Sequence, residues 1–436
     1  MKLGLLPARV WQQIVLIVNG YLSASRAKPM ALREREALVE QMARKLCVLL
    51  LEEDAEADTL ALEPGACECG GTYRSHGRRR RVIETIFGTV GIRRRHYQCT
   101  RCGKSHYPLD DRWGLGRECL SPLAQERLVG LCVALPFREA HAWFGKLTGC
   151  GVSLSTAWRA TQRAGAVLLG KVKEEEEASR SREGAIAFLK RMWELGAGGR
   201  WGIGADGVYV RVEHNWLEAK VAVLGPITRS GEWIRGRMSY VASMAHAKAF
   251  RLRVVRHGLD RGITRRTALV LVSDGAAWIG TLAKKHWHQA VVVRDFWHAV
   301  QYLWRGANAI YGEGSQAAAK LAKRLESALW EGKVEEVQEV LVAEGTRKAP
   351  RGKQAKQALS DTHRFIENHK EQMRYDCYRE ERWPIGSGPA EAACKTVVAA
   401  RMKRSGMNWS MQGAEHMLLL RAQYCTDLAT YPLPHT

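Results

Sequence analysis

The stretch Ala268-Leu-Val-Leu-Val-Ser-Asp274-Gly275 is a short apolar run that ends on a carboxylate. Continuous Val and Leu with no polar alternation predict a strand buried on both faces. A second run, within Ala290–Arg294, has the same character and is followed directly by Asp295. Upstream, Trp201–Val212, Lys220–Leu224 and Met238–Ala242 bring the strand candidates to five, and Ala245–Arg256 reads as a helix between the third and the fourth. Strands alternating with helices predict an α/β core from Trp201 onward. Phe296 to Asp376 is then mostly helical, with Leu321, Leu325, Leu329 and Val334, Val337, Leu341 marking apolar helix faces. A last helix is expected from about Pro389 to Arg404.

Three acidic residues stand at informative places on this frame. Asp206 lies within the first strand, in Gly204-Ala-Asp206-Gly-Val. Asp274 ends the fourth. Glu391 follows Ile385-Gly-Ser-Gly-Pro-Ala390 near a helix start. Each has an ordinary explanation alone: Asp-Gly commonly makes a turn, and an acidic residue early in a helix favours the dipole. Together they suit hard cations such as Mg²⁺, which take carboxylate oxygens, and a pair of such ions can stabilise both the attacking and the leaving oxygen of a phosphodiester reaction. Asp295 and His298 are spaced i, i+3, so both can face one way on a helix. His298 then either orients a carboxylate near a reacting phosphate or is a hydrogen-bonded histidine in packing.

The N-terminal part differs. Residues 1–63 read as helical, an arm for oligomerisation or for DNA docking. Cys67-Glu-Cys69 and Cys99-Thr-Arg-Cys102 flank an alternating run with Phe87-Gly88-Thr89 as its turn, which predicts a β-hairpin carrying a cysteine pair at each end. Four thiolates suit tetrahedral Zn²⁺. The C-x-C pair is tight, so either the knuckle accepts it or His76 or His96 stands in for one cysteine. Arg78, Arg79, Arg80, Arg93 and Arg94 on the hairpin are candidate phosphate contacts. Phe137–Leu147, a turn around Gly149, and a helix restarting at Ser153 read as a helix-turn-helix. Its second helix would present Ser155, Arg159 and Gln162 to DNA. Lys171–Glu183 is a charged stretch read as a solvated linking helix.

The chain carries a formal net charge of +22 over 436 residues, which points to a polyanionic partner. Eleven cysteines, four of them clustered, favour metal binding in a reducing compartment over disulfides. No secretory signal and no membrane span is expected. Among fifteen tryptophans, Trp278, Trp297 and Trp409 lie beside the acidic motifs, where they either stack on an unpaired base or pack in the core.

The cysteine hairpin, the helix-turn-helix, the two Asp-Gly motifs, Asp295-x-x-His298 and Gly386-Ser-Gly-x-x-Glu391 occur in that order. Together with Arg401-Met-Lys-Arg-Ser-Gly-Met-Asn-Trp409, they resemble the ISKra group of bacterial insertion-sequence transposases, relatives of the Mutator-type DDE enzymes. The resemblance spans roughly residues 64–423. It implies an α/β RNase H-like catalytic core with an all-helical insertion, preceded by a zinc-ribbon hairpin and a helix-turn-helix. It implies two catalytic aspartates at Asp206 and Asp274, the catalytic glutamate at Glu391, and the Asp/Cys-x-x-His pair at Asp295 and His298.

The expected organisation is a helical region 1–63, ribbon 64–112, helix-turn-helix 113–165, linking helix 166–200, core 201–299, insertion 300–383 and the glutamate-bearing part 384–436. The expected activity is cleavage and strand transfer at DNA ends, with two Mg²⁺ (Mn²⁺ as substitute), structural Zn²⁺, double-stranded DNA and a homodimer or larger assembly, in the cytoplasm. Lys395, Arg401, Lys403 and Arg404 would hold the DNA backbone. A regulator that binds without cutting, and a nuclease that cuts without joining, are the alternatives.

Overall fold

The computed structural model describes residues 6–426 except 195, 197 and 276. The chain forms two compact units, one ending at Ala164 and one beginning at Gly165. No helix among the described residues is long and apolar enough to cross a membrane.

The first unit opens with helices α1 (Ala8–Arg26) and α2 (Leu32–Ala61), then a long hairpin, β1 (Tyr73–Thr85) and β2 (Gly88–Cys99), with a short third strand β3 (Ser105–His106). The hairpin turns at Ile86-Phe87, one residue earlier than expected, because Thr85 pairs with Gly88. Helix α2 is not a detached arm. Ala55 packs into a cluster with Ile83, Val90, Ile92 and Leu109, where α3 (Pro108–Arg112) also contributes. Glu56 and Glu63 meet Arg78 at 2.6 Å and Arg95 at 2.9 Å. Helices α4 (Pro122–Ala134) and α5 (Phe137–Thr148) follow. Gly149 ends α5 in the left-handed region at φ 67°, and the Ser153 hydroxyl accepts the Thr156 N–H at 3.1 Å to start the next helix. That helix, α6 (Leu154–Ala178), is one uninterrupted piece, so the expected break between a recognition helix and a linking helix is absent. The chain breaks instead at Ser181, which caps α7 (Arg182–Trp193).

The second unit is built on a five-stranded mixed sheet: β4 (Arg200–Val212), β5 (Asn215–Ile227), β6 (Ser239–Ser243), β7 (Ala268–Ser273) and β8 (Val291–Arg294). The spatial order is β6-β5-β4-β7-β8. β4, β7 and β8 run parallel, while β5 is antiparallel to both β4 and β6. Both faces are covered, as the apolar sequence of β7 requires. On one face Ile203, Leu224, Leu269 and Leu271 pack against Phe250, Val254 and Trp287 from α8 (Ala247–Asp260) and the segment after α9 (Ala277–His286). On the other, Val270, Val272 and Val293 pack against Phe296, Val300 and Leu303 of α10 (Phe296–Tyr311). Burial of each such aliphatic side chain contributes about 1.5–3 kcal/mol.

The α10 cluster continues through α11 (Gln316–Trp330), α12 (Val334–Arg347), α13 (Lys353–His369) and α14 (Tyr375–Glu380). Glu391 lies on α15 (Gly388–Ala393), followed by a π turn (Cys394–Ala399) and α16 (Ala400–Met402). The expected last helix is therefore interrupted, and it is not the last. α17 (Met411–Thr426) follows and packs on β6.

Candidate active site

The strand register places the acidic residues. Ala205 of β4 pairs with Ser273 of β7, and Ser273 pairs with Arg294 of β8. The next residue on each is Asp206, Asp274 and Asp295, so three aspartates stand at one level across three neighbouring parallel segments. Side chains alternate along a strand. Ile203 and Ala205 face the α8 side, so Gly204 and Asp206 face the other, as do Val270, Val272 and Asp274.

The helix bearing Glu391 lies on that same face. A Cβ added at Gly204 would stand 3.2 Å from the Ala390 Cβ and 3.3 Å from Val223 Cγ1. The absence of a side chain at Gly204 thus lets α15 sit close on β4, one residue before Glu391. Pro389 in the first turn of α15 fits without loss, since that N–H has no intrahelical acceptor. The π turn begins three residues after Glu391, and such turns recur at functional sites.

These groups feel one another electrostatically. Burial first pushes the Asp206 carboxyl up. Repulsion from Asp274 and Glu391 adds to this, against hydrogen bonds from the Gly207 N–H and Cys394. Asp206 Oδ1 accepts the Gly207 N–H at 2.7 Å. Burial, then the charge of Asp206, keeps the Cys394 thiol protonated, so it serves as a donor. Among the described residues, the group of three or more side chains whose ligand atoms lie within 4.8 Å of one another is the four cysteines of the hairpin, and the three carboxylates form no such group.

Asp295 is buried and serves as an anchor. Its Oδ1 accepts the His298 N–H at 2.7 Å, capping α10, and Oδ2 accepts the Ser387 N–H in the loop that leads to Glu391. His298 Nδ1 lies 3.1 Å from Oδ1. Phe296 N–H donates to Ile385 O at 2.9 Å, so the loop is held at two points. Burial acts to raise the Asp295 carboxyl, but hydrogen bonds from His298 and Ser387 outweigh it and hold it at about 2. The bond to Asp295 raises His298, opposed by burial and supported by the charges of Asp274 and Glu391.

Arg294, also buried, places Nη2 at 2.9 Å from His369 Nδ1 and 2.6 Å from Gln372 Oε1, connecting β8 to the end of α13. A Cβ at Gly275 would meet its Nη1 at 2.6 Å. Sequence reading missed Arg294, Ser387 and Cys394. Each lay close to a motif along the chain, Arg294 beside Asp295, Ser387 within Gly386-Ser-Gly-x-x-Glu391 and Cys394 three residues after Glu391, and that proximity was the signal.

In the first unit the four cysteines converge. Cys67 Sγ lies 3.6 Å from Cys102 Sγ and from Cys69 Sγ, and Cys69 Sγ lies 3.5 Å from Cys99 Sγ. Tetrahedral zinc with bonds of about 2.3 Å puts its sulfurs about 3.8 Å apart. The cluster could therefore hold a metal ion such as zinc. Backbone N–H groups of Cys102 and Arg101 hold the Cys99 thiol down to about 6, in the range that favours thiolate. The C-x-C knuckle closes, and no histidine replaces a cysteine. His96 instead meets Ser105 Oγ at 3.0 Å and stacks on Tyr107, and His76 tilts against His96.

The candidate DNA contacts divide. Arg78, Arg79, Arg80 and Arg93 are exposed, as are Ser155, Arg159, Lys395, Lys403 and Arg404, while Gln162 is half-buried. Arg79 pairs across the hairpin with Arg94, and Arg80 with Arg93, an arrangement of like charges that an anion relieves. Two expectations need correction. Arg94 is engaged within the fold, by an ion pair to Asp110 and by its guanidinium 3.7 Å from the Tyr107 ring centre. Arg401 is buried at 1% exposure, 5.3 Å from the Trp409 ring centre, and offers no surface to a DNA backbone. Of the tryptophans, Trp278 packs edge-on against Phe250 and Trp409 is buried, whereas Trp297 is exposed. Against protein-family models and curated proteins alike, the chain finds no match.

Proposed function

We propose that this chain is a DNA transposase of the DDE type, with an RNase H-like core interrupted by a helical insertion at residues 300–383. One observation carries the reading. Asp206 and Asp274 follow paired residues at one level of adjacent parallel strands, and the helix bearing Glu391 packs on the same face. The sheet order, with one antiparallel strand beside the central strand, supports the RNase H-like assignment.

Asp206, Asp274 and Glu391 would hold two Mg²⁺ ions, or Mn²⁺, which supply charge stabilisation at the attacking and leaving oxygens. Asp295 keeps the Ser387 loop in place, and so sets the position of Glu391. Its bond to His298 also raises that imidazole and so favours the cation, which suits a phosphate. Lys395, Lys403 and Arg404 flank the same helical segment with positive charge. The cysteine hairpin and the helix-turn-helix bind double-stranded DNA, consistent with the excess of 22 positive charges. Pairing of two DNA ends calls for a dimer or larger assembly, and the reaction is assigned to the cytoplasm, a reading supported by cysteines clustered for metal rather than for disulfides.

The test is cleavage and joining of a labelled duplex carrying the element's own end, with Mg²⁺. Wild type is compared with Asp206→Ala, Asp274→Ala and Glu391→Ala. Ends with free 3′-OH and joined products from wild type alone support the proposal. Binding without cutting by wild type means a regulator, and cutting without joining means a nuclease.

A further inference from the structure

The β4–β5 hairpin extends well beyond the level of Asp206 and carries an unusual outer face. Arg211 pairs with Trp216, and Tyr209 with Glu218. On that face Tyr209 is 59% and Trp216 60% exposed, and Arg211 is exposed between them. The two rings are diagonal neighbours across the strands, a spacing of about 7–8 Å. Lys403 Nζ reaches to 5.9 Å from the Trp216 ring centre. The one carboxylate among these side chains, Glu218, is paired with Lys220 at 2.8 Å.

A projecting hairpin would ordinarily fray. This one is fastened at its tip to the loop that follows the Glu391 helix. Trp409 N–H donates to Arg211 O at 3.0 Å and Glu213 N–H to Trp409 O at 2.9 Å. His214 N–H donates to Asn408 Oδ1 at 2.9 Å, and Met411 N–H to Glu213 Oε1 at 3.1 Å. The turn itself holds two non-glycine residues in the left-handed region, Glu213 at φ 50° and His214 at φ 67°. Hairpin turns of this kind favour Asn-Gly, and backbone held in such a state tends to mark a functional segment.

We propose that Tyr209, Arg211, Trp216 and Lys403 form a stacking platform for an unpaired DNA strand. Exposed aromatic rings interleaved with cations are the chemistry that binds bases by their faces and phosphates by charge. At about 3.3 Å per residue, Tyr209 and Arg211 lie about 10 and 17 Å along the strand from Asp206. Their side chains share the parity of Ala205 rather than of Asp206, so the platform lies on the sheet face turned from the carboxylates. The inference rests on the proposed function for the kind of strand bound, while binding of unpaired DNA is measurable apart from it.

The test uses the full chain and a short oligothymidylate bearing one 5-iododeoxyuridine. Photocrosslinked peptides are mapped, and affinity is compared for wild type, Tyr209→Ala/Trp216→Ala and Tyr209→Phe/Trp216→Phe, with thermal melting as the check on folding. Crosslinks within residues 209–216, roughly 5- to 150-fold weaker binding per ring lost to Ala, and retention in the Phe variant are expected. Crosslinks confined to other segments overturn the platform, as does unchanged affinity in a folded Ala variant. A self-association that the Ala variant abolishes, with oligothymidylate binding intact, assigns the face to a second copy of the chain and likewise overturns it. Should the crosslinks map as expected while wild type never cuts DNA, the proposed function fails and the platform stands.

Discussion

Replacing Asp295 by Asn probes how the loop before Glu391 is held. The carboxylate is 1% exposed and serves two clients, the His298 N–H through Oδ1 and the Ser387 N–H through Oδ2. Holding the carboxyl at about 2 instead of 3.8 contributes roughly 2 kcal/mol at neutral pH. Asn has one acceptor oxygen, so its NH₂ must face one of the two donors. A buried donor left without an acceptor costs about 1–3 kcal/mol. Asp295→Asn is therefore expected to lower stability by roughly 3–5 kcal/mol at pH 7.

The pH dependence has a definite sign. The carboxyl is depressed in the fold, so its contribution is complete above 3.8 and is lost as pH falls toward about 2. The gap between wild type and variant, read by urea unfolding, should narrow as pH falls from 3.8 toward 2. His298 is raised in the fold, so its contribution is complete below 6.5 and is lost as pH rises through the raised value. In the variant, His298 should titrate closer to 6.5 by NMR. A variant within about 0.5 kcal/mol of wild type at pH 7, or a gap that widens as pH falls from 3.8 toward 2, would refute this reasoning.

Gly204→Ala introduces a Cβ 3.2 Å from Ala390 and 3.3 Å from Val223. It should shift α15 by tenths of an ångström, cost about 1 kcal/mol in thermal stability and slow DNA cleavage more than tenfold, since small misplacements of reacting groups are costly. Wild-type cleavage in this variant counts against close seating of the Glu391 helix. Treatment of the full chain with a mercurial that titrates thiols should release one zinc per chain, read with a chromogenic chelator, and should expose the hairpin to protease. Cys99→Ser should carry little zinc, and zinc retained at wild-type level in that variant argues for another ligand set.

Much of the catalytic frame was legible because its cause is local. The β7 run is apolar at every central position, and the expected strand Ala268–Ser273 is the strand observed. β5 was read as Lys220–Leu224 yet spans Asn215–Ile227. Its outer end, Asn-Trp-Leu-Glu, carries no alternation and is held by pairing with β4 and by the loop around Trp409. The burial of Arg401 was hidden for a related reason: a run of Lys and Arg does not tell which side chain turns inward beneath a tryptophan. Asp295 was visible as a motif, but its second partner, Ser387, lies 92 residues away. The π turn at Cys394–Ala399 leaves no mark on composition. The seating of α2 on the cysteine hairpin depends on Ala55, which is unremarkable within a helix rich in Ala and Leu.

The central claim is that carboxylates from two strands and one helix make a single site for hard divalent cations. Counting tightly bound Mn²⁺ by electron paramagnetic resonance on the zinc-loaded chain tests it most directly. Wild type should bind Mn²⁺ at this site, and Asp206→Asn, Asp274→Asn and Glu391→Gln should each weaken that binding while zinc content and melting temperature hold. Equal Mn²⁺ binding in wild type and all three variants, or none in wild type, would contradict the account.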